Sequence, residues 1–234
     1  MKSSLRRIAE TAKLSVKAVV FDFDGVLADS EPIHFRVYRE LLAPSGVTLT
    51  KEAYCARYLG FDDEGAFRQM AADFNLLLGD EEIEMLIVAK ARRFEEIVSG
   101  ANVLYPTAVS CVERLGARWP LGIASGALRA DIDLMLKGAR LADRFRFIVS
   151  AGDTDETKPA PDPYLKAAEL HGLPPAACVA IEDSRWGLQS ARAAGMRTIG
   201  VTHTYPRGEL TADRVVDSLD DVTVALIEQL TVNG

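Results

Sequence analysis

Apolar positions change their spacing twice along the chain. Lys17-Ala-Val-Val-Phe21 is a short β-branched run and predicts a buried strand, with Asp22 to Ser30 following as a loop. From Glu31 to about Ser99 the spacing turns helical. Ile33, Val37 and Leu41 recur with it, as do Phe67, Met70 and Phe74, then Ile83, Leu86, Ile87, Phe94 and Ile97. Breaks fall at Pro44-Ser-Gly46, at Gly60 and at Gly79-Asp80. Beyond Pro106 strands and helices alternate. Strands are predicted at 121–124, 145–149, 178–181 and 197–201, with an edge strand at 214–216. Helices are predicted at 128–137, 163–170, 186–194 and 222–230. Such alternation implies a doubly wound parallel sheet covered on both faces, an α/β fold. The helical stretch after the first strand reads as an insertion with its own core. The expected division is therefore an α/β core of residues 1–30 and 104–234 and a helical cap of residues 31–103, with hinges near Ser30 and Val103.

Ligands of such sheets sit beyond the carboxyl ends of the strands. The strand tails are Asp22-Phe-Asp24-Gly25, Ser125-Gly126, Ser150 to Lys158 and Glu182-Asp183. Four carboxylates at one edge repel unless some are protonated or a cation sits among them. An oxygen-only donor set without His or Cys suits Mg²⁺. Ser125 and the N–H that follows it offer an anion site, and Lys158 adds a point charge for a phosphate. An exposed Asp, a metal and an anion pocket together point to phosphoryl transfer. Asp22 is then the nucleophile, and Asp24 is placed to protonate the leaving oxygen and later activate water.

Composition narrows the partners. The 234 residues carry 27 Lys+Arg against 34 Asp+Glu, a formal charge of −7, which argues against nucleic acid. No apolar run approaches the ~18 residues of a membrane span. Three scattered cysteines, Cys55, Cys111 and Cys178, read as reduced buried thiols of a cytoplasmic protein. The basic segment Met1 to Lys17 lacks the apolar stretch of a secretory signal and reads as a frayed leader. A monomer is the default.

Each motif alone also has an ordinary structural reading. Ser125 would cap the helix from Leu128, Lys158 would be a solvated loop residue, and Glu182-Asp183 would cap the helix that follows. Together, Asp22-Phe-Asp-Gly-Val26, Ser125, Lys158-Pro-Ala-Pro-Asp162 and Ile181-Glu-Asp-Ser184 with Gly187 resemble the four motifs of the haloacid dehalogenase superfamily, in order, over about Lys17 to Val201. The insertion is similar to the cap of the branch holding β-phosphoglucomutase, phosphoglycolate phosphatase and small sugar-phosphate phosphatases. The resemblance implies a Rossmann-like core, Mg²⁺ as cofactor and an aspartyl-phosphate on Asp22. It also implies that Asp22, the backbone carbonyl of Asp24 and Asp183 hold the metal, with Glu182 a second-rank candidate. Ser125, Gly126 and Lys158 would hold the phosphoryl group.

Asp24 sets the chain apart from the dehalogenases, which have no alkoxide to protonate. In the cap, Arg57-Tyr-Leu-Gly60 resembles the substrate loop, which makes Arg57 and Gly60 candidate substrate contacts. Acids, Asp62-Asp63-Glu64, follow it where a mutase would place bases, which favours hydrolysis of a small phosphate monoester. Glu31-Pro-Ile-His34 resembles the cap start of mutase-like members and adds His34 as a further contact. The alternatives are a β-phosphoglucomutase-type isomerase and a non-enzymatic phospho-acceptor domain.

Overall fold

The computed structural model describes residues 15–59, 61–99, 101 and 103–230. The first fourteen residues of the basic leader, and Gly60, lie outside the described residues. Six parallel strands form one sheet in the order β3-β2-β1-β4-β5-β6. They are β1 (Ala18–Phe21), β2 (Leu121–Ala124), β3 (Ile148–Val149), β4 (Cys178–Glu182), β5 (Arg197–Val201) and β6 (Arg214–Val216). β1 is central, pairing Val20 with Gly122 on one side and with Ala180 on the other. All four of its residues are buried, because both sheet faces are covered. Side-chain alternation divides them. Val19 and Phe21 join one core with Ile123, Val179, Ile181 and Ile199, while Ala18 and Val20 join the other with Ala180 and Tyr164.

Between β1 and β2 lie five helices: α1 (Glu31–Leu42), α2 (Lys51–Arg57), α3 (Asp63–Asp73), α4 (Asp80–Val98) and α5 (Ala108–Gly116). The first four form the helical insert, and the predicted breaks at Pro44 to Gly46 and at Gly79 separate α1 from α2 and α3 from α4. Local chemistry starts them. Thr50 caps α2 by accepting the Ala53 N–H at 3.2 Å, and Asp62 caps α3 by accepting that of Gly65 at 2.8 Å. The insert packs Tyr38, Leu42, Tyr54, Phe67, Met70 and Ile83 into a separate apolar cluster, joined by Leu188, Tyr205 and Leu210 from the sheet side. The two crossings run side by side. Asp29 donates its N–H to Val103 O at 2.8 Å, and Tyr105 donates to Leu27 O at 2.9 Å.

The remaining helices are α6 (Arg129–Gly138), α7 (Asp162–His171), α8 (Arg185–Ala193) and α9 (Val224–Gln229). The strands at 121–124, 197–201 and 214–216 form as expected. The strand expected over 145–149 is regular only at Ile148–Val149. Phe147 lies over Gly122 of β2, where a Cβ would stand 2.4 Å from its ring. Helix α5 is an addition to the sequence-based elements, although Ala108, Cys111, Val112 and Leu115 carry its buried face at helical spacing. Cys111 and Cys178 are buried free thiols, but Cys55 is only half-buried, which corrects the expectation of three buried ones.

Candidate active site

The topology decides where the strand tails meet. The chain winds one way from β1 through β2 to β3, then returns to the other side of β1 with β4. The crevice at this reversal lies beyond the ends of β1 and β4. Asp22 follows β1, while Glu182 ends β4 and Asp183 follows it. One carboxylate oxygen from each of Asp22, Glu182 and Asp183 lies within 4.8 Å of the others, and all three residues are buried.

Lys158 sits in the middle of this charge. Its Nζ donates to Asp22 Oδ1 at 2.7 Å, to Glu182 Oε1 at 2.7 Å and to the Ala124 carbonyl at 2.9 Å. The lysine is thus a part-buried bridge and not a solvated loop residue. Its cation lies 5.0 Å from the centre of the Tyr164 ring, whose hydroxyl donates to Glu182 at 2.7 Å. Glu182 is fully spent. Its Oε2 accepts from the N–H groups of Asp183 and Ser184 at 3.2 and 3.3 Å and from the Ser184 hydroxyl at 3.1 Å. It orients Lys158 and the loop into α8, and it is less open to a metal than Asp22 and Asp183 are. Ser184, and neither acid, caps α8 by accepting the Gly187 N–H at 3.0 Å.

Two glycines make this density of carboxylates possible. A Cβ on Gly25, which has φ +75°, would lie 1.9 Å from Asp183 Oδ2, and one on Gly187 would lie 1.8 Å from Glu182 Oε1. The charges are imperfectly balanced. Burial raises the Asp22 carboxyl to about 8 despite Lys158, and burial with the Asp22 and Glu182 charges pushes Asp183 well above the carboxylate range. Thr204 donates a hydrogen bond to Asp183. The three buried acids could hold a cation, and their oxygen-only donor set fits Mg²⁺.

Asp24 points toward the insert. Ser30 stands at the N-cap position of α1 but makes no cap bond, because its hydroxyl donates to Asp24 instead. His34 Nε2 is 3.6 Å from the same carboxylate, and its ring stacks on Phe94 with centroids 4.4 Å apart. Burial raises the Asp24 carboxyl, but His34 and Ser30 outweigh it and hold the group below its ordinary value. His34 therefore meets Asp24 directly. Ser125 is buried, and its Oγ accepts the Ala127 N–H at 3.1 Å. It does not cap α6, whose N-cap is Leu128.

Above these groups a cavity of about 290 Å³ opens between sheet edge and insert. Asp22, Asp24, Ser125, Gly126, Lys158 and Asp183 line it from the sheet side, and His34, Tyr38, Asp63 and Lys90 line it from the insert. That volume suits a small molecule. Arg57, on α2, is exposed, pairs with Asp73 at 3.1 Å and is not among the residues that line the cavity.

Lys90 was missed by the sequence reading. It is 2% exposed, donates to Asp63 at 2.8 Å and lies 5.2 Å from the Phe94 ring centre. Its position on the Phe94 face of α4, one turn before that residue, was the available signal. The ring nitrogens of His171 are out of water, and His203 Nδ1 lies 2.8 Å from Gly25 O beside the Tyr105 ring.

A family model described as haloacid dehalogenase-like hydrolase matches residues 19–201 of this chain. The chain is 38% identical over 205 residues to Protein CbbY of Rhodobacter capsulatus, covering 84% of this chain and 89% of that one. It is 30% identical over 183 residues to fructose-1-phosphate phosphatase YqaB of Escherichia coli, covering 78% and 95%. The fold matches that of CbbY from Rhodobacter sphaeroides in complex with xylulose-(1,5)bisphosphate, with a TM-score of 0.80, 25% identity and coverage of 91% and 99%.

Proposed function

The chain belongs to the haloacid dehalogenase-like hydrolase family and is a phosphoric monoester hydrolase, and from that premise we propose that it removes phosphate from a small sugar-type monophosphate through an aspartyl-phosphate on Asp22. The observation that carries this reading is the bridge of Lys158 between Asp22 and Glu182, at 2.7 Å to each, at the crevice where β1 and β4 end.

The Asp22 and Asp183 carboxylates and the Asp24 backbone carbonyl would hold Mg²⁺, which when bound supplies positive charge to the phosphoryl oxygens. Lys158 binds the phosphoryl group and keeps one Asp22 oxygen oriented. Ser125 and the Gly126 N–H hold the same group from the other side. Asp22 attacks phosphorus in line with the ester oxygen. The P–O bond to the leaving group breaks, and that oxygen takes the proton that Asp24 carries in the substrate-bound state, since in the free site His34 and Ser30 favour its ionised form. Asp24, ionised again, then takes a proton from water, which attacks phosphorus and releases phosphate and free Asp22. Residues 31–103 act as a cap over the cavity, excluding bulk water and choosing the ester.

The mutase alternative needs a grip for a second phosphate. The insert wall offers Asp62, Asp63 and Glu64, and its lysine, Lys90, is already paired with Asp63. A phospho-acceptor domain has no use for Asp24 or an enclosed cavity. The test is phosphate release from p-nitrophenyl phosphate and from a panel of sugar monophosphates, with Mg²⁺ and with a chelator. Sustained, Mg²⁺-dependent release is expected. A single stoichiometric burst would mean an acceptor. Isomerisation of β-glucose 1-phosphate without free phosphate would mean a mutase.

A further inference from the structure

One buried carboxylate on the cavity wall has no part in the chemistry above. Asp131 lies in the first turn of α6, is 6% exposed and lines the cavity. Among the described residues its side chain has no hydrogen bond and no ion pair, whereas Asp63, Asp24 and Glu182 are all engaged. The charges that reach it are Lys90 on α4 and His34 on α1, with Asp24 and Asp63 opposing them. Burial outweighs the two bases and raises its carboxyl to about 6. An acceptor left this way beside a ligand cavity is relieved by a donor on the ligand.

The rest of that wall shows what kind of ligand. Asp62, Asp63 and Glu64 stand on the insert side. Lys90 gives its charge to Asp63 at 2.8 Å, and Glu64 is held by Arg68 at 2.9 Å. Leading into α6, Ala127 and Leu128 line the cavity, and α6 itself adds Asp131 and no base to the lining. A second anionic group on the substrate would meet Asp62 and Asp131, which have no ion pair among the described residues, while hydroxyl donors would find an acceptor.

We propose that Asp131 is a specificity-determining residue, accepting a hydrogen bond from a hydroxyl of the leaving group and so selecting uncharged polyol or sugar monophosphates over bisphosphates and carboxylate-bearing esters. This rests on the phosphatase reading above. Lys90, bound to Asp63, fixes the neighbouring wall.

The experiment compares wild type with Asp131→Asn, which keeps the shape and removes the charge. Substrates are glucose 6-phosphate, fructose 1-phosphate and ribose 5-phosphate against phosphoglycolate, β-glucose 1,6-bisphosphate and p-nitrophenyl phosphate. For the preferred sugar monophosphate, kcat/KM relative to p-nitrophenyl phosphate should fall by about 5- to 10-fold, mainly in KM, the difference between a hydrogen bond to a charged acceptor and one to a neutral amide carbonyl. Discrimination against phosphoglycolate and the bisphosphate should narrow. A merely structural Asp131 would shift all esters alike and change the melting temperature.

An unchanged ratio overturns the inference while leaving the phosphatase reading intact, as does a wild type that prefers the bisphosphate. A wild type that hydrolyses no ester defeats the phosphatase reading instead. Thermal-shift titration then decides separately: equal protection of wild type and Asp131→Asn by the sugar monophosphates overturns the role of Asp131.

Discussion

Replacing Gly187 by alanine adds one methyl group at the most crowded point of the site. The new Cβ would stand 1.8 Å from Glu182 Oε1 and 2.0 Å from its Cδ. Glu182 cannot swing aside cheaply. It is fully buried, and its two oxygens accept from Lys158, Tyr164, the Asp183 and Ser184 N–H groups and the Ser184 hydroxyl. Overpacking costs about 1–3 kcal/mol. Losing one or two hydrogen bonds to a buried charge adds about 1.5–3 kcal/mol each. A total of about 3–5 kcal/mol follows if the loop shares part of the strain. At about 2–4 °C per kcal/mol for a chain of this size, the melting temperature should fall by roughly 6–20 °C. Lys158 would lose its second carboxylate, and a misplaced positioning group of this kind costs roughly 10²-fold in turnover. The control is Gly138→Ala, in α6, where an added Cβ meets nothing within 4 Å. It should be neutral or slightly stabilising. The assay is thermal unfolding with phosphate release measured on the same samples. A Gly187→Ala protein that melts within about 1 °C of wild type and keeps its turnover would refute the account of Glu182 as a fully engaged, immovable group.

Asp22→Asn should abolish turnover while preserving the melting transition, and near-normal kcat in that variant would remove the aspartyl-phosphate mechanism. Asp24→Ala should slow turnover by roughly 10²–10⁴-fold, the range of lost acid/base help, with a smaller loss for p-nitrophenyl phosphate, whose leaving oxygen needs less protonation. Burial and the nearby Arg146 lower the His171 imidazole to about 4. A base whose folded value lies below its unfolded ~6.5 binds fewer protons when folded, so its contribution is present above pH 6.5 and is lost as pH falls toward 4. The loss is at most about 3 kcal/mol. Urea titrations at pH 7, 5.5 and 4.5 should show a shallower decline for His171→Gln than for wild type, and parallel declines would count against it.

Much of the fold was legible in the sequence because it rests on local chemistry. The β-branched runs at 18–21 and 197–201 are buried on both faces, so they read as continuous apolar segments. The helical spacing over 31–99 and the breaks at Pro44 and Gly79 follow from backbone preferences that no distant contact needs to enforce. The strand tails were legible too, since a parallel sheet places every carboxyl end on one edge. Asp22, Lys158, Glu182 and Asp183 are therefore legible as one group in the sequence.

Tertiary structure decided what each of them touches. Sequence spacing says nothing of Lys158 reaching both Asp22 and Glu182, or of Ser30 giving up its cap position to bind Asp24. Nor does it place Arg57 outside the cavity, or bring Lys90 and Asp131 from different helices to one cavity. These facts depend on crossover topology and on how the insert docks, which are set by contacts between residues far apart in the chain. A lysine on a helix can face solvent or a buried acid with the same local energy. Which one it meets is decided by the packing of the other helices around it.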